Sequence, residues 1–302
     1  VKNFYEKSLE LFIQVKSNID LNDLYVHHNN PIIRGGRTKA WDRLNEQSYK
    51  NYKNYKLTRK FPHKKTTTMM SAYLKYGCVS IREMYWFLIK KYDKDHELIR
   101  QLYWKDFYAY ITHHFPHVLH GMVSKQDNNP FNESLSNKIK WTNSKQFFEA
   151  WCEGKTGYPI VDAGMRQMNE TGFMHNRLRM ITSMFLIKHL HIDWKWGEKY
   201  FATKLIDYDP ASNNGGWQWS AGTGTDFKNF YRMFNPWTQT KRFDQNCIYI
   251  KEWIPELKNI PSKEILSWDT SHEKHKNVYE PPIVNHKEQR KKTMSTIYAI
   301  NP

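Results

Sequence analysis

Apolar side chains in this sequence recur at intervals of three and four, and nowhere do they alternate convincingly over the length of a strand. That spacing lays one apolar stripe along a helix, so it predicts helices over 81–92, 97–113, 146–152, 159–171 (stopped by Gly172), 176–191 and 194–205. A further helical pattern opens the chain with Phe4, Leu9, Leu11, Phe12 and Val15. The expected fold class is all-α. The polar stretch 124–144 is long for a connection and reads as a surface insertion. The last forty residues, with Pro281-Pro282 and a basic run over 290–292, read as a trailing arm and a terminal helix.

Composition narrows the partners. The longest unbroken apolar run is the six residues 84–89, far short of the roughly twenty that span a bilayer, so no membrane contact is expected. The 302 residues carry 46 Lys and Arg against 30 Asp and Glu, a net charge of +16, and 16% aromatics. Disordered basic tails are poor in aromatics, which leaves a basic globular protein with a polyanion as its expected partner. Cys78, Cys152 and Cys247 are odd in number and far apart, as expected of reduced thiols in an intracellular setting, cytoplasmic or nuclear.

No HExxH, CxxC, Walker loop or GxSxG is present, and the 14 histidines show no ligand spacing, so hydrolase and metal chemistry start poorly and no metal site is expected. Four segments carry other signals. Residues 50–65 hold seven Lys and Arg and no acid; Lys50, Lys53, Lys56 and Arg59 fall at helical spacing with Tyr52 and Tyr55 between them, either a solvated face or a binding one. Thr66-Thr67-Thr68-Met69-Met70-Ser71 precedes an apolar segment, where hydroxyls would cap a helix and its open amides would suit an anion.

In the third segment, Asn176, Arg179 and Met180 share one helix face, with Arg177 pointing elsewhere. Arg179 lies among apolar neighbours and needs an anion, whether a structural carboxylate or a ligand; Asp207 and Asp209 are the candidates. The fourth segment sets Asp209 as N-cap before Pro210, then Asn213-Asn214-Gly215-Gly216 and Trp217-Gln218-Trp219. It predicts a short helix whose glycines admit a flat ligand, or else a tight turn with packed indoles.

At these residues the sequence resembles the DNA photolyase and cryptochrome family, specifically its FAD-binding helical domain. The likeness runs from GGRT at 35–38 through LIRQLYWKDFY at 98–108, WCEGKTGYPIVDAGMRQMNETGFMHNRLRM at 151–180 and DWKWGE at 193–198. It continues in DYDPASNNGGWQW at 207–219 and RMFNPWTQ at 232–239. Within the family, MHNR at 174–177 is similar to the class I enzymes that split cyclobutane pyrimidine dimers. The resemblance implies a connecting helix and linker over 1–34 and a helical, FAD-binding, DNA-binding catalytic domain over 35–302. The family's N-terminal α/β antenna domain is expected to be absent from this chain, missing or supplied separately, and no antenna pigment is expected in it.

The resemblance further implies FAD, reduced in the active form. Tyr55, Thr67, Thr68, Met69, Met70 and Ser71 would hold its phosphates. Arg179 and Asp207 would pair beside the flavin ring, with Asp209 at its polar edge, Asn213 facing N5, and Leu98, Lys105 and Tyr208 completing the site. Gln101, Trp104, Asn176, Met180 and Trp219 would line the lesion pocket, and Arg59, Arg177, Arg232 and Gln239 would hold DNA backbone. Trp141, Trp194 and Trp217 would form the chain of indoles that reduces the flavin. Three residues depart from the pattern: Gln101 stands where some dimer photolyases carry Glu, Lys105 for a common Arg, and Met69 for a common cation. The implied activity is light-driven repair by a monomer acting on dimer-containing DNA. The alternatives are a cryptochrome-type photoreceptor and a truncated DNA-binding relative without activity.

Overall fold

The computed structural model describes residues 32–46, 50–120, 139–225 and 232–300. The expected connecting segment 1–34 lies outside the described residues except for its last three, as does most of the expected insertion over 124–144. Helices form throughout, and no strand occurs among the described residues. The principal helices are α1 (Arg37–Glu46), α2 (Ser71–Lys75), α3 (Ile81–Lys91), α4 (Glu97–His114), α5 (Lys145–Glu153) and α6 (Pro159–Thr171). They continue as α7 (Asn176–Lys188), α8 (Trp194–Lys204), α9 (Pro210–Ala221), α10 (Pro236–Phe243), α11 (Ile248–Trp253) and α12 (His286–Ile300).

Local chemistry sets the boundaries. Ser80 and Glu83 form a reciprocal capping box at the start of α3. The His96 ring accepts from Leu98 N to open α4. Pro159 occupies the first turn of α6, and Gly172 ends it at φ 68°, a left-handed conformation that costs glycine nothing. Two cores result. The larger gathers α5 to α9 and α11 around Trp151, Phe185, Phe201 and Trp217. The smaller joins α1, α3 and the start of α4 around Tyr52, Tyr55, Met70 and Leu98.

Five expectations are corrected. Helix α7 ends at Lys188 rather than 191, because His191 adopts φ 52° and both His189 and His191 turn to meet α12. Helix α9 is not short and no turn interrupts it: it runs twelve residues straight through Gly215-Gly216. Asp209 caps it by accepting from Ser212 N, and Gln218 Nε2 donates to Asn214 Oδ1 at 2.7 Å across the turn after the glycines. The bareness of Gly215 admits the ring of Tyr108 on α4, which packs where a Cβ would stand, while Gly216 faces open space.

The C-terminal segment is no trailing arm either. Ile265 and Trp268 are fully buried, Tyr158 Oη donates to Val284 O at 2.7 Å, and Tyr279 Oη donates to the buried Asp162 carboxylate. Finally, the hydroxyls of 66–71 do not cap α2. Met70 is its N-cap and makes no side-chain cap, since a thioether is a poor acceptor. The helical spacing over 50–59 is also interrupted, at Asn54, into two single turns that bury Tyr52 and Tyr55 and leave Lys53 and Lys56 exposed.

Candidate functional site

Two cation–carboxylate bridges lie on elements that pack together. The α7 guanidinium of Arg179 reaches out of its helix: Nε donates to Met174 O at 2.8 Å, and Nη2 donates to both Asp207 oxygens at 2.9 and 3.0 Å. Asp207 is buried and precedes α9 by three residues. Helix α4 packs on α9, bringing Lys105 Nζ to 2.7 Å from Asp209 Oδ2. Burial acts to raise the Asp209 carboxyl, but hydrogen bonds from Lys105 and Ser212 N outweigh it and hold it below the usual carboxylate range. Asn213, on the first turn of α9, donates from Nδ2 to Glu198 Oε1 at 3.0 Å and to Glu198 O at 3.3 Å. Tyr208 Oη meets the same Glu198 oxygen at 3.4 Å.

The segment before α2 is held from outside: Arg43 Nε donates to Thr68 O at 2.9 Å, and Thr68 Oγ1 accepts from Met70 N. Met69 stands at φ 53°. Thr66 Oγ1 is buried without a partner, and Tyr55 and Leu98 are buried in the adjoining core. Thr67 and Thr68 are half-buried and Ser71 is exposed.

A third group lies on the remaining candidates. Gln101 and Trp104 sit three apart on α4, Trp104 with 48% of its surface open. Trp219 is half-buried and lines a small cleft between α4 and α9 with Tyr108, Thr112 and Asn214. Tyr108 also lies 6.3 Å from the Trp104 ring, so one tyrosine adjoins both indoles. Arg177 is half-buried with its guanidinium 4.4 Å from the centre of the Phe243 ring, and its Nε has no partner. Burial first, then the nearby guanidinium groups of Arg242, Arg59 and Arg232, lower its pKa to about 10. Gln239 Oε1 is buried without a partner, Asn176 is exposed and Met180 half-buried.

The structure thus brings Arg179 to Asp207, Lys105 to Asp209 and Arg177 toward Arg59 and Arg232. Trp194 and Trp217 are buried and Trp141 packs against the same core. The recorded ring neighbours of Trp217 are Phe201 at 5.0 Å and Trp151 at 6.1 Å. Sequence reasoning passed over Glu97, Glu198, Arg43 and Arg242. Glu97 was within reach, four residues before Gln101 on one helix, and Glu198 ends the DWKWGE motif at 193–198. Nothing local marked Arg43.

The donor chemistry fits a flavin nucleotide. An uncapped helix start beside an unpartnered Thr66 hydroxyl supplies neutral donors for phosphate, two charge pairs are fixed at Asp207 and Asp209, and the carboxamide of Asn213 is held by Glu198. An all-helical domain with these interior bridges and a group of four arginines suits an anionic ligand within and a polyanion without.

The comparisons agree. The sequence profile of the family described as the FAD binding domain of DNA photolyase matches residues 98–299. The deoxyribodipyrimidine photo-lyase of Alkalihalophilus pseudofirmus is 40% identical over 271 residues, covering 86% of this chain and 55% of the relative. The crystal structure of a class III photolyase from Agrobacterium tumefaciens aligns with a TM-score of 0.79 at 36% identity, covering 89% of this chain and 57% of that one. A Synechocystis cryptochrome structure aligns at 0.78 with 33% identity, covering 88% and 56%. The chain belongs to the photolyase FAD-binding domain family, and its cofactor is FAD. It spans about half the length of the curated relatives it matches.

Among the described residues no cluster could hold a metal ion, and no helix is long and apolar enough to cross a membrane.

Proposed function

We propose that this chain is the catalytic part of a deoxyribodipyrimidine photo-lyase, which splits cyclobutane pyrimidine dimers in DNA by light-driven electron transfer from reduced FAD. The observation that carries the DNA assignment is Arg177: a half-buried guanidinium with an unpartnered Nε and three further arginines acting on its charge. Such a cluster is costly by itself and is relieved by a polyanion. FAD, when bound, supplies the light absorption and the transferable electron.

The chain's residues do the rest by position. Tyr55, Ser71 and the 67–70 segment hold the phosphates; Leu98 and Tyr208 complete the walls. The Arg179–Asp207 and Lys105–Asp209 bridges fix charge beside the ring, and Asn213, turned by Glu198, faces it. Arg59, Arg177, Arg232 and Gln239 grip the backbone. A damaged base costs less to extrude, and Trp104 and Trp219 offer it stacking faces beside Gln101, Asn176 and Met180. Trp141, Trp194 and Trp217 carry electrons inward from the surface. The likeness to a cryptochrome supports a second reading, a flavin photoreceptor without repair.

The test is to load the full chain with FAD, reduce it, and illuminate it with an oligonucleotide holding one thymine dimer. Recovery of intact thymines is expected. A coloured protein that leaves the dimer intact supports the photoreceptor instead, and failure to retain FAD sinks both.

A further inference from the structure

Glu97, the first residue of α4, is joined to two residues assigned different tasks. Its Oε1 accepts from Arg59 Nη2 at 2.9 Å and from Gln101 Nε2 at 3.2 Å, and Gln101 Nε2 also lies 3.2 Å from Glu97 O. The Glu97 side chain is only 11% exposed, so these contacts are shielded from water.

The two acceptors decide which way the Gln101 amide faces. Turned over, it would set its own carbonyl oxygen against a carboxylate and a backbone carbonyl, with no proton between them. The NH₂ end is therefore held by Glu97, and Oε1 is the end that can meet a ligand. A glutamine without this restraint can present a donor or an acceptor; Gln101 presents an acceptor. An acceptor suits the imide N–H of an extruded thymine.

We propose that Glu97 is a positioning residue that fixes Gln101 as a hydrogen-bond acceptor in the lesion pocket while restraining Arg59. The inference rests on the repair reading above. Because one oxygen serves both partners, removing it has two opposite effects. Gln101 keeps only the backbone carbonyl of residue 97 as acceptor, so its orientation is loosened and recognition of the dimer weakens, and Arg59 gains freedom to grip any phosphate, which strengthens binding to intact DNA. A merely structural role at the helix start would weaken both.

The experiment measures binding of the FAD-loaded chain to a duplex with one thymine dimer and to the same duplex undamaged. For Glu97→Ala, the damaged-to-undamaged preference should fall roughly tenfold, about the worth of one charge-assisted hydrogen bond. Affinity for intact duplex should rise and its salt dependence steepen. Gln101→Ala should lower the preference similarly, and the double variant should fall little further. Glu97→Gln, whose amide oxygen still accepts from Gln101, should keep most of the preference. If Glu97→Ala does not fold, Glu97→Leu serves as the variant lacking the acceptor.

An unchanged preference in the Ala or Leu variant, or two single losses that simply multiply in the double variant, would overturn the proposal. A wild-type chain that repairs and prefers dimers leaves the repair reading standing in either case. A wild-type chain with no preference removes that reading and this inference together.

Discussion

The indole of Trp217 lies against the backbone of Gly197: a Cβ at residue 197 would fall closer than 3.0 Å to two of its ring atoms, a distance real side chains do not show. The contact joins α8 to α9 and holds Trp217, one of the three indoles proposed for the electron path. Gly197→Ala must move the ring or separate the helices, and overpacking of this kind costs about 1–3 kcal/mol. The expected result is a lower urea midpoint together with slower photoreduction of bound FAD. Unchanged photoreduction in a folded variant would remove Trp217 from the path.

The Arg179–Asp207 bridge makes a different prediction. Asp207→Ala leaves a guanidinium in the interior with only Met174 O as acceptor, a loss of about 3 kcal/mol, at the low end for buried pairs because the Arg179 side chain stays 28% exposed. Asp207→Asn keeps an acceptor and should cost about half of that. Denaturant unfolding of the FAD-free and FAD-loaded chain measures both. If the bridge stands beside the flavin, the Ala variant also loses FAD, and full retention would separate the bridge from the cofactor.

Much of this fold could be read from local rules. The period of the apolar residues, Pro159 and Gly172 at the ends of α6, and Asp209-Pro210 at the start of α9 all act within a few residues, so they are visible in a single sequence. The misreadings arose where distant contacts decide. Gly215 reads as a turn residue until Tyr108, over a hundred positions earlier, is found on it. The C-terminal prolines read as a loose arm until Tyr158 and Asp162, over a hundred positions earlier, are found bonded to Val284 and Tyr279. In the site, the need of Arg179 for an anion was legible from its apolar neighbours. Glu97 and Glu198 were within reach as residues, but that each bonds another residue's carboxamide shows only in the contacts.

Asn213 donates both recorded hydrogen bonds from Nδ2 to Glu198, which leaves its Oδ1 as the end toward a ligand. Asn213→Ala should alter the redox behaviour of bound FAD, read as a changed rate of photoreduction or of reoxidation in air. Global stability should change by about 1 kcal/mol or less, since the asparagine is only half-buried. Glu198→Ala should reproduce part of the redox change without touching the flavin. Redox behaviour identical to the wild type in both variants would place Asn213 away from the reacting ring.

His189 and His286 pin α12 to the end of α7, with His189 Nε2 2.9 Å from His286 Nδ1 and the rings stacked at 5.1 Å. Burial lowers the pKa of His286, and burial followed by the nearby His286 and His191 drives His189 well below its ordinary value. Burial also takes His191 to about 4, aided by Lys292 and Lys188, and His175 to about 4, aided by Arg177 and Arg179. Arg290 opposes a proton on His286 and Asp269 favours one.

In the unfolded chain these rings take up protons near pH 6.5, while the native rings stay neutral until well below it. The native state therefore binds fewer protons between about pH 6.5 and 4. Stability is full above 6.5 and falls as pH drops toward 4, by at most about 1.4 kcal/mol per pH unit for each buried ring. Asp162 and Asp244 work the other way: burial raises the Asp162 carboxyl to about 6 and lifts that of Asp244 too, so acidification favours their native states, but they are two groups against four rings. Urea midpoints should hold steady from pH 8 to 7 and decline from 6.5 to 5. Replacing His286 with Gln should make that decline shallower, because the replacement cannot titrate and removes one of the two rings whose charge acts on His189. A flat profile from pH 7 to 5 would mean that the rings are solvated in the native state and that α12 is not held as described.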